Sequence, residues 1–153
     1  MLFNIFLVIV SFLFMEFVAW FSHKYIMHGF LWLIHKDHHL RNHGPLEWND
    51  LFALIFAVPS VLLIFNGFSN RTFTFYIGLG IAAYGLAYFL FHDALVHGRI
   101  KLMRRININY FRAILSAHLN HHSGMENYGF LFLFNWKFFK KENQVDFKNQ
   151  QYI

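Results

Sequence analysis

The sequence predicts an all-α integral membrane fold, a bundle of about three to four apolar helices in one domain. Three observations carry that reading. The chain has 153 residues, enough for one core and too few for two. Hydrophobic residues make up 57% and charged residues 14%, with 22 Phe, against averages of about 45–50% and about 25%. Three apolar runs also approach the roughly 20 residues that a helix needs to cross the hydrocarbon core.

The first run, Leu2–Phe21, is broken by a single acid, Glu16. A cleaved signal peptide would want a basic start and small residues at its end. Here no Lys or Arg precedes the run, and Trp20 and Phe21 close it, so the helix is expected to be retained. The second run, 51–68, contains Pro59 and Gly67. The third, 73–91, carries Gly78, Gly80 and Gly85 on a small-residue face suited to close helix packing. A short connector, 66–72, makes these two a hairpin. A fourth apolar stretch, 128–139, is too short to span and is expected to be interfacial or packed against the others. Residues 1–136 read as the membrane-embedded domain, and 137–153 as a polar, frayed cytoplasmic tail.

Charge orients the bundle. Of 13 Lys and Arg, only Arg71 lies in the hairpin connector, so the other segments are expected on the cytoplasmic side and the N-terminus outside. The net charge of +5 does not form a surface stripe. The lipid bilayer is therefore an expected partner and nucleic acid is not. The chain has no Cys, which excludes disulfides, thiolate zinc sites, iron–sulfur clusters and a cysteine nucleophile.

Eleven His remain to be explained. Ten fall in four windows that total 22 positions, where random scatter would leave under two. Two windows read H-x-x-H-H: His35, His38, His39 and His118, His121, His122. On a helix, offsets of three and four bring such rings to one face, where they can seize one metal or share two. The other two read H-x-x-x-x-H: His23 with His28, and His92 with His97. A spacing of five puts the rings about 140° apart on a regular α-helix. Both can reach one cluster only if the helix ends or bulges between them, and Gly29 and Gly98 follow each second His. Imidazole suits iron, zinc, copper and nickel. Ten imidazoles exceed one coordination sphere and fit two metals, so a cytoplasmic, histidine-rich di-metal site is expected. His43, in a loop with Gly44 and Pro45, is expected to take no part.

With their surroundings HKYIMHGFLW, WNDLFALIFA, AYGLAYFLFHDALVH and AHLNHH, these clusters resemble those of the bacterial β-carotene hydroxylases, a branch of the fatty acid hydroxylase and sterol desaturase superfamily. The resemblance covers roughly residues 10–133 and departs from the family after the last histidine pair, where this chain reads SGMENYGFLF. The histidine pattern implies a membrane di-iron enzyme, and the HKYIMHG and HDALVH wording implies the carotenoid branch. The resemblance thus implies two non-haem irons, dioxygen as co-substrate, and a carotenoid drawn from the membrane. The reaction implied is hydroxylation of β-ionone rings at the 3-position, giving zeaxanthin through β-cryptoxanthin, in a multi-pass protein of the bacterial cytoplasmic membrane. A hydroxylase or desaturase of a fatty acyl chain or sterol is the alternative. A metal transporter fits less well, because transporters put ligands within the spans.

No GxGxxG fingerprint or P-loop appears, so electrons are expected from reduced ferredoxin or a similar donor. Arg99, Lys101, Arg104, Arg105 and Arg112 are together candidates to steer an acidic carrier, although for each one taken singly positive-inside anchoring is the favoured reading. Carboxylates beside the ligands would offset the metal charge and orient the rings. Asp93 and Asp37 lie inside the clusters. Glu16 sits seven residues before His23, within about 20° of it on the helix, and an acid inside an apolar span is a functional candidate, the alternative being a neutral hydrogen bonder within the bundle. Asn120, between the last ligands, is a candidate to hold a metal-bound water or else an inert position. Asp50 is expected as an N-cap to the second run.

Overall fold

A computed structural model describes residues 1–40, 46–100 and 108–145. Helix α1, Leu2–Phe21, continues without a break into a π-helical segment, Ser22–Phe30. Together they make a 29-residue apolar rod, about 43 Å at 1.5 Å per residue. That exceeds the ~30 Å hydrocarbon thickness, so one end stands clear of it. The backbone leaves helical geometry at Gly29 (φ −97°, ψ −123°). Helix α2, Trp32–His35, then runs into a 3-10 turn, Lys36–His39.

A second 3-10 turn, Trp48–Asp50, is closed by a reciprocal capping box between Glu47 and Asp50 and opens helix α3, Leu51–Gly67. Helix α4, Phe73–Tyr88, again passes into a π segment, Phe89–Val96. Helix α5, Asn109–His122, carries the last histidine window. Among the described residues there are no strands, and three helices are long and apolar enough to cross a membrane: Leu2–Phe30, Trp48–Gly67 and Phe73–Val96. The expected all-α membrane bundle is the observed one.

Helix α4 packs on both α1 and α3, and glycines set the approach. A Cβ on Gly80 would lie 2.5 Å from the Val8 carbonyl of α1. One on Gly78 would lie 2.8 Å from Ile64 and 2.9 Å from the Ser60 carbonyl of α3. The Ser60 hydroxyl donates to the Gly78 carbonyl at 2.9 Å, an interhelical bond made where no water competes. Gly85 departs from expectation. A Cβ there meets nothing within 4 Å, so this glycine packs against no helix.

The stretch 128–139 is packed rather than spanning. Phe130 and Leu131 join Met15, Ala19 and Tyr84 in one core cluster. Phe134 and Phe138 join Val96, Ala113, Ile114 and Leu115 in another. Residues 137–145, expected within a frayed tail, are docked on α5: Phe138 is buried, Gln144 donates to Asn109 at 2.6 Å, and the Val145 amide donates to Ser116 at 2.8 Å. The rest of that tail, 146–153, lies outside the described residues.

Candidate metal centre

His23, His28 and His92 sit in the two π segments, and His97 caps the second. A backbone ring closed at i→i+5 returns the fifth residue to nearly the same face, which the α-helix does not. The His97 amide indeed donates to the His92 carbonyl at 3.0 Å, and the Leu31 amide to Ile26 at 3.0 Å. Of the two devices the spacing allowed, the bulge is the one used, as π turns often are at functional sites. The rings of His23 and His28 lie 5.0 Å apart, and those of His92 and His97 4.8 Å.

All ten clustered histidines converge at one end of the bundle, and nine of them divide into two sets. His23, His28, His35, His39 and His121 bring their ligand atoms within 4.8 Å of one another, and His38, His92, His97 and His118 do the same. Each H-x-x-H-H window is therefore shared between sets. His122 lies between them, its ring stacked on His39 at 4.3 Å and 4.4 Å from His118. His43 lies outside the described residues.

Four rings are held from behind. The Nδ1–H of His23 donates to the Tyr128 carbonyl (2.9 Å), that of His35 to Asn49 Oδ1 (2.7 Å), that of His38 to Glu47 Oε2 (3.1 Å), and that of His92 to Asp93 Oδ1 (2.8 Å). Partners that only accept fix the proton on Nδ1 and leave the Nε2 lone pair facing the cluster. Three Nε2 pairs then face each other: His28 with His121 at 3.0 Å, His35 with His39 at 3.2 Å, and His97 with His118 at 2.9 Å. Nitrogens bound to one metal ion at ~2.1 Å and at right angles are ~3.0 Å apart, so these pairs have the spacing of neighbouring ligands. His92 Nε2 and both nitrogens of His122 are buried without a hydrogen-bond partner. Orphaned lone pairs are costly unless something accepts them, and a metal ion does. The donor set fits two metal ions.

Electrostatics agree. Burial first, and neighbouring imidazoles second, lower His35 and His121 to about 3, His39 to about 4 and His122 to about 2. Burial holds His38 and His118 well below the ordinary value too. All six are neutral near pH 7, the form that binds metal.

The other expected site residues are placed as follows. Asp93 holds His92, as above. Asp37 instead accepts the Trp48 amide at 2.6 Å. Glu16 is buried but bonds to no histidine. Its Oε1 accepts the amides of Phe130, Leu131, Phe132 and Leu133 at 2.9–3.1 Å, and its Oε2 accepts the Tyr84 hydroxyl at 2.7 Å. Its acceptor capacity is spent on the returning loop because four successive amides there have no helix to bond within. Asn120 Oδ1 accepts from Asn127 at 3.0 Å and ties the same loop to α5. Asp50 accepts the Glu47 amide at 3.0 Å and pairs with Arg99 at 2.9 Å. Arg99 also pairs with Glu47 at 3.3 Å, so it is engaged in the site rather than offered to a carrier. Lys101, Arg104 and Arg105 lie outside the described residues.

The sequence reading passed over Glu47, Asn49, Tyr128 and Phe130. The dense polar run Glu47-Trp48-Asn49-Asp50 between two apolar segments was the available signal for the first two. Phe130 stacks on His23 at 4.8 Å, and Tyr88 stacks on His92 at 4.5 Å. Beneath these rings, among α1, α3 and α4, lies a mostly apolar cavity of about 370 Å³, with Asn49, Asp50 and Asp93 at its histidine end.

Comparison with known proteins places the whole chain. The family model described as fatty acid hydroxylase matches residues 8–140. A beta-carotene hydroxylase of Pantoea ananas is 40% identical over 134 residues, 84% of this chain and 77% of that protein. One from Pseudescherichia vulneris is 40% identical over 137 residues, 86% and 78% respectively. A chloroplastic beta-carotene 3-hydroxylase of Gentiana lutea is 42% identical over 117 residues, 74% of this chain and 37% of the longer plant protein. No solved structure matches. A helical membrane bundle with ten converging imidazoles, matched over most of its length, leaves one assignment: the chain belongs to the fatty acid hydroxylase family.

Proposed function

We propose that the chain is a membrane oxygenase that hydroxylates the β-ionone rings of β-carotene at the 3-position, giving zeaxanthin through β-cryptoxanthin. The observation that carries this reading is the convergence of ten imidazoles, nine of them in two adjoining ligand sets, directly above an apolar cavity. The names and 40% identity of the Pantoea and Pseudescherichia proteins support the substrate.

His23, His28, His35, His39 and His121 would hold one iron, and His38, His92, His97 and His118 the other, with His122 within reach of both. Two irons so held would supply the activation of dioxygen that an unactivated ring C–H bond requires. The protein's own work is orientation and exclusion. Asp93, Glu47, Asn49 and the Tyr128 carbonyl keep four Nε2 atoms aimed inward, and the two carboxylates offset positive charge at the membrane edge. Phe130 and Tyr88 shield the floor of the site from water. Glu16 and Asn120 hold the loop that carries Tyr128 and Phe130. Electrons arrive from reduced ferredoxin or a similar carrier, in a protein of the bacterial cytoplasmic membrane whose histidine face is cytoplasmic.

The test is expression in a bacterial host that accumulates β-carotene, with pigments extracted and separated. Zeaxanthin and its singly hydroxylated precursor are the expected products. Unchanged β-carotene, with the chain present in the membrane, would overturn the reading. Modified acyl chains or sterols in its place would move the chain to another lipid substrate.

A further inference from the structure

Gly78 and Gly80 each seat a neighbouring helix, whereas Gly85, one or two turns nearer the histidines, has open space where a side chain would stand. Helices α3 and α4 are thus in close contact at Ser60 and Gly78 and enclose a cavity between that contact and the metal centre. Each helix lends the cavity two rows. Phe52, Phe56 and Ser60 on α3 are largely withdrawn from the surface, as are Ile81, Tyr84 and Tyr88 on α4. Ala53 and Ala57 on α3, with Ala82 and Gly85 on α4, line the same cavity and are exposed. These four lie inside the segments that cross the membrane, so the cavity opens sideways to lipid and not to water. From Ile81 to Asp93 its lining extends twelve residues, about 18 Å of helix, and Asn49, Asp50 and Asp93 lie at the histidine end.

We propose that this side opening is the substrate entrance, and that Gly85 sets its bore. The occupant it fits is a long, thin, apolar molecule dissolved in the bilayer. Such a molecule slides in between α3 and α4 and brings one end up to Asn49, Asp93 and the imidazoles without crossing the aqueous face. This rests on the hydroxylase reading above. A side chain at position 85 obstructs the entrance without disturbing helix packing, because nothing lies within 4 Å of its Cβ. A leucine also favours the helix over glycine.

The experiment compares wild type, Gly85→Ala, Gly85→Leu and Ala83→Leu as iron-loaded protein in lipid nanodiscs. Ala83 is exposed on the same helix but does not line the cavity. Gly85→Leu is expected to keep wild-type iron content and melting temperature while losing at least tenfold in kcat/KM for β-carotene. Gly85→Ala should lose about twofold, and Ala83→Leu nothing. A dansyl-labelled undecanoic acid, whose fluorescence rises in an apolar slot, reads the same opening without turnover. Its signal should fall at least tenfold in Gly85→Leu alone. Equal kcat/KM and equal probe binding in wild type and Gly85→Leu overturn the entrance and leave the hydroxylase reading standing. A wild type that leaves β-carotene untouched overturns the reading, and the probe then decides the entrance by itself.

Discussion

Glu16→Ala is the most demanding single substitution, because one carboxylate organises a whole loop. It removes the acceptor for four successive amides and for the Tyr84 hydroxyl. Phe130, Leu131 and Tyr84 are at most 6% exposed, so water does not reach their donors in the folded state. A buried donor left unpaired costs about 1–3 kcal/mol, so three cost about 3–9 kcal/mol. Against this, the protein no longer buries a carboxylate, which returns several kcal/mol. The net is a loss of about 3 kcal/mol, or a fall in melting temperature of about 6–12 °C for a chain of this size. Glu16→Gln keeps an oxygen for the amides and should lose less than half as much. The same loop supplies the Tyr128 carbonyl to His23 and the Phe130 ring that stacks on it, so iron content should fall with stability. The assay is a thermal melt in detergent micelles, with protease sensitivity of 123–135 and iron per chain measured alongside. If Glu16→Ala melts, resists protease and holds iron as wild type does, the loop is not anchored by that carboxylate.

Three further outcomes are expected. Replacing any one of His35, His39, His118 or His122 with Ala should abolish turnover, Asn49→Leu should weaken iron binding about 10–100-fold by freeing His35, and His43→Ala should leave both unchanged; iron analysis and pigment assays check all three, and full activity in two of the first four would refute the ligand sets. Metal-free protein should be least stable in acid. His35, His39, His121 and His122 titrate at about 2–4 when folded and near 6.5 when unfolded, so the unfolded chain takes up protons first. Their contribution is therefore full above pH ~6.5 and lost as pH falls, and melting temperatures that stay level or rise from pH ~7.5 to ~5 would contradict it. Reporter fusions after Asn70 and after Lys141 should report opposite membrane sides, with Lys141 cytoplasmic; the same side for both would undo the three-span topology.

Much of this was legible because lipid and metal impose strong patterns. A run such as Leu2–Phe21 has few soluble alternatives, and ten histidines in 22 positions demand a common purpose. Even the obstacle was legible: a spacing of five called for an end or a bulge, and the first pair lies in a π segment while a π turn from His92 to His97 closes the second. The loop contacts were hidden because sequence separation carries no distance. Glu16 and Leu133 meet across 117 positions, and His23 and Tyr128 across 105. The position of Glu16 on the face of His23 suggested a ligand partner, whereas the need of four loop amides decided its use. Gly78, Gly80 and Gly85 looked alike as small residues, and only the arrangement of helices gave the third a different task.

The division of each H-x-x-H-H window between two sets has a consequence for assembly. His35 and His39 face one set while His38, on the same turn, faces the other, and His121 and His118 are split in the same way. A turn of backbone cannot settle for one set and stay loose for the other. The first ion to arrive would therefore organise half of the second nest, and a second ion would meet ligands already in place. Loading should be cooperative, with half-filled chains scarce at every stage of an iron titration. Starved cells would then hold a mixture of complete and empty enzyme, and shortage would be felt as fewer working molecules rather than as many impaired ones.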